Sequence, residues 1–208
     1  MLNKEFKQTK EVVKYAAEQG YLRGRVLDLG AGQAKYKSII KEKANEYVAF
    51  DLIPGKNIDV VGEINNTGLP AESFETVVCT QVFEHIATPW LAVKEIKRLL
   101  KPNGICLLTA PFLEAYHADP HDYFRYTTEG VIALFKNEGF EIVEGGICGA
   151  MYLVLTEFLR FTLFSSYKKA RRGNYRATLY LNKLAQFLNK FSRNKTIYTS
   201  SYVIAKKL

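Results

Sequence analysis

The sequence feature that most constrains the fold is a short apolar run ending in a glycine-rich turn, Val26-Leu27-Asp28-Leu29-Gly30-Ala31-Gly32. The run has the length and composition of a buried strand, and a helix of about ten residues is expected to follow it. Glycines at such a turn let the backbone approach a ligand closely. In an open α/β sheet this turn lies at the carboxyl ends of the strands, where ligands bind.

The rest of the chain alternates between strand and helix patterns. Six further apolar runs have the length of strands, at 47–50, 58–61, 76–80, 105–109, 140–143 and 202–205. Helical spacing of apolar residues predicts helices over 5–19, 89–100 and 128–137. Continuous apolar strands separated by helices are typical of a mostly parallel sheet covered on both faces. We therefore predict a seven-stranded α/β fold forming one domain over residues 1–208.

Length and composition exclude several classes of protein. A chain of 208 residues that is 48% apolar suits a globular domain, and excludes a disordered tail, a collagen and a disulfide scaffold. Cys79, Cys106 and Cys148 lie far apart in apolar runs without a CxxC pair, so buried thiols are expected rather than a zinc ribbon. The charged N-terminus lacks the apolar core of a signal peptide, and a cytoplasmic location is expected.

Positive charge is concentrated in the last quarter of the chain. The formal net charge is +8, of which residues 1–150 contribute −3 and residues 151–208 contribute +11. That last part combines two apolar helical patterns with the cationic cluster Lys168-Lys169-Ala170-Arg171-Arg172. Residues 150–195 are therefore expected to form a helical insertion before the last strand. It would serve as a lid, as a dimer surface, or as a peripheral contact at the inner face of an anionic membrane.

The end of the second strand indicates the kind of cofactor. Asp51 follows Gly32 by 19 residues, and a carboxylate there can accept hydrogen bonds from both hydroxyls of a ribose. Both a nicotinamide dinucleotide and S-adenosylmethionine contain such a ribose. Lys35 stands where a dinucleotide fingerprint needs its third glycine. Asp28 would be badly placed beside a pyrophosphate but suits the cationic ammonium group of a methionine moiety.

At these residues the chain resembles the class I S-adenosylmethionine-dependent methyltransferases, of the type 11-like group. The matching stretches cover residues 24–146 and are 26–32, Asp51, 69–78, 81–86 and 99–104. The resemblance implies a Rossmann-like sheet, S-adenosylmethionine as the methyl donor and S-adenosylhomocysteine as the product. It also implies eight cofactor-binding residues. These are Asp28, Gly30 and Gly32 at the methionine and ribose end, Asp51 on the ribose hydroxyls, Glu63 and Ile64 beside the adenine, and Thr80 and Gln81 beside the sulfonium.

The long loop after the predicted strand 105–109 is expected to receive the methyl acceptor. Residues 111–127 are aromatic and rich in titratable groups, and long loops of this kind are usually functional. A hydroxyl nucleophile benefits from a base that titrates near neutral pH, so His117 is predicted to act as base or orienter. Asp122 and Arg125 are predicted to position a polar substrate. The alternative is that these two residues pair and brace the loop.

No metal site is predicted from the sequence. His85, which follows Glu84 at a strand–helix junction, is expected to make a structural hydrogen bond. The loop residues with metal-binding groups are His117, Asp119, His121 and Asp122, and no further ligand set accompanies them.

The same loop resembles a subgroup of these enzymes found in cell-envelope and polysaccharide biosynthesis. The shared pattern is His117, then Pro120, then Asp122-Tyr123-Phe124-Arg125-Tyr126-Thr127. This resemblance implies a small-molecule or glycan-type acceptor, methylated on a hydroxyl group.

Two other functions remain as alternatives. The +11 segment would suit a nucleic-acid methyltransferase, but Thr80-Gln81-Val82-Phe83 lacks the Asn/Asp-Pro-Pro-aromatic run of enzymes that methylate base amines. A non-catalytic binding subunit with the cofactor fold would have little use for the loop at 111–127. The sequence does not decide the oligomeric state.

Overall fold

The computed structural model describes residues 2–163, 180, 183–185, 187, 188, 191 and 196–208. The strands within these ranges are β1 (Leu2–Phe6), β2 (Arg25–Leu29), β3 (Glu46–Asp51), β4 (Val60–Val61), β5 (Phe74–Thr80), β6 (Leu100–Pro111), β7 (Phe140–Cys148) and β8 (Ser200–Lys207). The helices are α1 (Thr9–Glu18), α2 (Lys37–Lys41), α3 (Pro89–Leu99), α4 (Thr128–Asn137) and α5 (Met151–Leu163). A short 3₁₀ turn spans Phe83–His85.

The strands form one mostly parallel sheet in the order β1-β7-β8-β6-β5-β2-β3-β4. β2 is central and pairs in parallel with β3 and β5, while β8 runs antiparallel to both β6 and β7. The predicted α/β, Rossmann-like architecture is confirmed. The carboxyl ends of β2, β3, β5 and β6 meet at one edge of the sheet, which is where such folds bind ligands.

The structure corrects the sequence prediction at two elements. The sheet has eight described strands rather than seven, because Leu2–Phe6 forms an edge strand parallel to β7 and the first helix begins only at Thr9. The Phe6 ring packs between Tyr15 and Tyr202, at centroid distances of 5.2 and 5.3 Å, and this contact holds the strand. The helix after the glycine turn is also shorter than expected, since α2 covers only Lys37–Lys41.

Two apolar layers enclose the sheet. Successive side chains of a strand point to opposite faces, so β2 contributes Leu27 and Leu29 to one layer and Val26 to the other. Helices α3 and α4 cover the first face, and α1 and α2 cover the second. The cysteines are buried free thiols, as predicted.

The predicted insertion at 150–195 is described only in part. It begins with α5, and its cationic cluster at 168–172 lies outside the described residues. Within the described part of the chain, no helix is both long enough and apolar enough to cross a membrane.

Candidate functional site

A cavity of about 800 Å³ lies at the carboxyl ends of the central strands. Small-molecule sites typically have volumes of about 300–1,000 Å³. Six of the eight residues predicted to bind the cofactor line this cavity, namely Gly30, Gly32, Asp51, Glu63, Ile64 and Gln81. The sheet therefore brings together groups from four separate parts of the sequence.

The glycine turn that follows β2 is hydrogen-bonded to the end of the neighbouring strand β3. The amides of Gly30 and Ala31 donate to the carbonyl oxygen of Phe50 at 2.8 and 3.0 Å. Gly30 has a φ of 78°, and a Cβ added there would lie 2.4 Å from Cγ2 of Val82. Only glycine fits this position, because both the backbone conformation and the close contact exclude a side chain.

Backbone amides fix the Asp51 carboxylate at the end of β3. The Gly32 amide donates to Oδ2 at 2.7 Å, and the Ile53 amide donates to Oδ1 at 3.0 Å. A carboxylate has about four lone-pair positions, so two remain for other donors. The Asp51 carboxylate is thus held on the cavity wall and can accept further hydrogen bonds.

Asp28 and Thr80 are not among the residues that line the cavity. Asp28 is buried beneath the turn, where the Tyr47 hydroxyl donates to its Oδ2 at 2.7 Å. Burial raises the pKa of Asp28 to about 6, although the bond from Tyr47 opposes this shift. Thr80 is the last residue of β5 and pairs with Thr109 of β6. Their predicted contacts with a cofactor therefore stay predictions.

Gln81 is held in an unusual backbone conformation on the cavity wall. Its φ is 55°, which is uncommon for a residue other than glycine and is often found at functional sites. Its amide donates to the Thr109 carbonyl at 2.9 Å, and its Nε2 donates to the Thr109 hydroxyl at 3.1 Å. These bonds fix Gln81 where the ends of β5 and β6 meet.

Asp122 and Arg125 form a partly buried ion pair within the loop at 111–127. The Arg125 Nη2 donates to Asp122 Oδ2 at 2.7 Å, and the Asp122 side chain is 1% exposed. Arg125 also donates to the backbone carbonyls of Glu114 and Ala115 at 3.0 Å each. Burial raises the pKa of Asp122, but the bonds from Arg125 outweigh it and leave the pKa below its ordinary value. Both side chains contact the loop itself, which corresponds to the bracing alternative.

His117 lies behind the cavity wall and contacts Glu84. Its Nε2 is 3.6 Å from Glu84 Oε1, and its Nδ1 is 2.9 Å from the Ala115 carbonyl oxygen. Interaction with Glu84 raises the pKa of His117 to about 9, against the opposing effect of burial. An imidazole with this pKa is protonated at neutral pH, and the predicted role of His117 as base or orienter stays a prediction.

Several cavity residues were not predicted as site residues. They come from the 3₁₀ turn, from the link between that turn and α3, and from the loop after β6: His85, Ile86, Thr88, Asp119, Pro120, His121 and Tyr123. The sequence signal that could have identified them is their position directly after β5 and β6, at the ligand-binding edge of the sheet.

A family model described as a methyltransferase domain matches residues 27–108, which run from β2 through most of β6. A DNA mismatch repair protein MutL of Clostridium acetobutylicum is 31% identical over 114 residues, which cover 51% of this chain and 17% of that protein. A ubiquinone biosynthesis O-methyltransferase of Haemophilus ducreyi is 37% identical over 46 residues, covering 22% of this chain and 20% of that protein. The chain thus spans a fifth or less of these two curated relatives.

The similarity to solved structures extends over nearly the whole fold. The crystal structure of a SAM-dependent methyltransferase from Archaeoglobus fulgidus matches with a TM-score of 0.63 at 19% identity, covering 96% of this chain and 95% of that chain. At this identity the match is evidence for the fold. The chain therefore has the Rossmann-like fold of the solved S-adenosylmethionine-dependent methyltransferases, and its residues 27–108 match the model of a methyltransferase domain.

Proposed function

We propose that the cavity binds S-adenosylmethionine and that the chain transfers its methyl group to an acceptor beside the loop at 111–127. The observation that carries this proposal is the Asp51 carboxylate. Two backbone amides hold it on the cavity wall, and its remaining lone pairs suit the two hydroxyls of a ribose. The matched methyltransferase domain includes this residue.

The adjoining wall suits a purine ring. Leu52, Ile53 and Ile64 supply apolar surface, and Glu63 places an acidic side chain at the same end of the cavity. An adenine needs apolar contact on its faces and an acceptor for its exocyclic amine. These residues meet both needs next to the proposed ribose site.

Gln81, His121 and Tyr123 occupy the part of the cavity wall formed by the ends of β5 and the loop after β6. In the proposed methyl transfer, an oxygen atom of the acceptor forms a bond to the methyl carbon of S-adenosylmethionine. The bond between sulfur and this carbon breaks, and its electron pair stays on sulfur. The acceptor proton leaves to the surrounding water. Much of the rate in such a reaction comes from holding the nucleophile in line near attack distance.

We infer that the acceptor is a hydroxyl of a small molecule or a glycan-type intermediate. The support is the loop pattern from His117 to Thr127 and the presence of a ubiquinone biosynthesis O-methyltransferase among the relatives. Asp122 and Arg125 contribute by fixing the loop against which this acceptor would bind.

Calorimetric titration with S-adenosylmethionine and S-adenosylhomocysteine tests the cofactor proposal. We expect micromolar binding to the wild-type chain and at least about tenfold weaker binding to Asp51→Asn, which replaces one acceptor oxygen by a donor. Glu42→Gln is the matched control, since Glu42 is exposed and lies outside the cavity. Absence of binding to the wild type, or equal binding by Asp51→Asn, would contradict the proposal.

We also propose that α5 brings the chain to an anionic membrane surface. Leu155, Phe158 and Leu159 have helical spacing on one face of α5 and are 54%, 49% and 45% exposed. The part of the sequence that follows, residues 164–208, has a net charge of +11 and contains no acidic residue. An exposed apolar helix face beside basic residues is typical of an interfacial membrane contact.

A further inference from the structure

Three metal-binding side chains converge beside the cavity. Glu84 and His85 belong to the 3₁₀ turn after β5, and His117 belongs to the loop after β6. Oε1 of Glu84 lies 3.7 Å from Nε2 of His85 and 3.6 Å from Nε2 of His117. One ligand atom from each of the three residues lies within 4.8 Å of the others.

The Glu84 carboxylate is the unusual member of this group. It is fully buried, and within the described part of the chain neither of its oxygens has a hydrogen-bond partner. An ionised carboxylate in such a position is strongly destabilising unless a positive charge or several donors compensate it. A protonated His117 compensates this charge in part from 3.6 Å, but both imidazoles lie beyond hydrogen-bond range of the carboxylate, and a bound ion would take the place of the His117 proton.

Backbone carbonyls determine which nitrogen of each histidine points at Glu84. Nδ1 of His85 lies 2.5 Å from the His121 carbonyl oxygen, and Nδ1 of His117 lies 2.9 Å from that of Ala115. Because a carbonyl only accepts hydrogen bonds, each Nδ1 carries a proton, and each ring directs its Nε2 toward the carboxylate. Metal-binding histidines are oriented in the same way, by donating the other ring N–H to a carbonyl or a carboxylate.

We propose that Glu84, His85 and His117 bind a divalent first-row transition-metal ion such as Zn²⁺, Fe²⁺ or Mn²⁺. Two imidazoles and one carboxylate are a common ligand set for such ions. Ligand atoms about 2.0–2.1 Å from a tetrahedral ion are about 3.3–3.4 Å apart, close to the separations in this cluster. Small movements of the side chains would complete the geometry, and the ion would neutralise the buried carboxylate.

The position of the site suggests what the ion would do. His85 also lines the cavity, so an ion bound to its Nε2 would lie at the cavity edge, with coordination positions left by the three protein ligands. Resting on the proposed function, we infer that an acceptor hydroxyl binds there. The ion would lower the pKa of that hydroxyl, whose proton passes to water before the oxygen takes the methyl group.

Metal uptake by the full chain, with any purification tag removed, tests the site independently of the methyl donor. After treatment with a chelator, we expect the wild type to bind one equivalent of Co²⁺ or Zn²⁺ in calorimetry. We also expect a visible absorption band for Co²⁺ and a higher melting temperature with the ion. His85→Ala, His117→Ala and the isosteric Glu84→Gln should each bind at least about tenfold more weakly.

Glu42→Gln is the matched control for Glu84→Gln, because Glu42 is exposed and lies outside both the cavity and the cluster. It should bind the ion as the wild type does. The proposal is overturned if the wild type takes up no stoichiometric ion, or if His117→Ala binds as tightly as the wild type. Titration with S-adenosylhomocysteine is a separate measurement, so failure of the metal site and failure of the cofactor site are distinguished.

Discussion

At the scale of single residues, the cavity depends on backbone positions that tolerate few side chains. Gly30 and Gln81 both have positive φ values, of 78° and 55°, and both lie on the wall where the strands end. Asp51 joins them by accepting the amide of Gly32. The backbone conformation and the orientation of the carboxylate are therefore set together.

Gly30→Ala and Gly32→Ala test this dependence as a matched pair. A Cβ at Gly30 would lie 2.4 Å from the Val82 side chain, whereas a Cβ at Gly32 would meet no described atom within 4 Å. We expect Gly30→Ala to lower the free energy of unfolding by about 2–4 kcal/mol, and Gly32→Ala by about 1 kcal/mol. Urea unfolding at neutral pH measures both. Equal losses would show that the contact with Val82 does not restrict Gly30.

Site residues that lie in one short sequence motif can be predicted from the sequence, whereas residues that only the fold brings together cannot. The glycine turn and Asp51 were predictable because a strand, a turn and a strand end follow one another at a recognisable spacing. Glu84 and His117 are 33 positions apart in the sequence, and the pairing of β5 with β6 brings them together. The ion pair of Asp122 and Arg125 depends on loop burial, which periodicity does not reveal.

At the scale of elements, a buried hydrogen-bond network connects α3 to the segment before β5. The Thr67 amide and hydroxyl donate to Glu95 Oε1 at 3.0 and 2.6 Å, and Arg98 Nε donates to Oε2 at 2.7 Å. Burial raises the pKa of Glu95, but the bonds from Arg98 and Thr67 outweigh it and lower the pKa to about 2. This network holds α3 on the face of the sheet behind the cavity.

The network predicts a pH-dependent contribution to stability. Because folding lowers the pKa of Glu95 from 4.5 to about 2, its stabilising effect is complete above pH 4.5 and is lost as the pH falls toward 2. We expect Glu95→Gln to lower the free energy of unfolding by about 2 kcal/mol at pH 7, and by about 1 kcal/mol less near pH 3.5. Urea unfolding at both pH values, with Glu42→Gln as control, measures the difference. If Glu95→Gln lowered the free energy of unfolding equally at both pH values, the lowered pKa of Glu95 would be contradicted.

Elements with strong periodicity were predicted well, and short elements were not. The runs that form β2, β3, β5 and β6 are continuous and apolar, because both of their faces are buried. β1 contains mainly polar residues and depends on pairing with β7, which its own sequence does not indicate. Helix α2 begins only at Lys37, after a turn in which Ala34 has a φ of 53°, and the apolar spacing does not indicate this late start.

At the scale of the whole molecule, charge and exposed apolar surface occur near one another in sequence. The body up to residue 150 is close to neutral, and the remainder carries +11. The described part of that remainder includes the exposed apolar face of α5. The proposed membrane contact is based on this combination of positive charge and exposed apolar surface in the last part of the chain.

Co-sedimentation with anionic lipid vesicles tests the membrane contact. We expect binding at low salt that weakens as the ionic strength rises, because basic residues attract the headgroups. Phe158→Ser should reduce binding at least about threefold, since it removes exposed apolar area. Leu91→Ser, at an exposed apolar position on α3, is the matched control. Binding by Phe158→Ser equal to that of the wild type, or no binding at low salt, would remove the proposal.

The proposed cofactor site is the cavity at the carboxyl ends of β2 and β3. The most direct measurement is a crystal structure of the chain with S-adenosylhomocysteine bound. We predict both ribose hydroxyls within about 2.6–3.2 Å of the Asp51 carboxylate oxygens, and the purine beside Glu63 and Ile64. A ligand bound elsewhere in the molecule, or one whose ribose makes no contact with Asp51, would contradict the account.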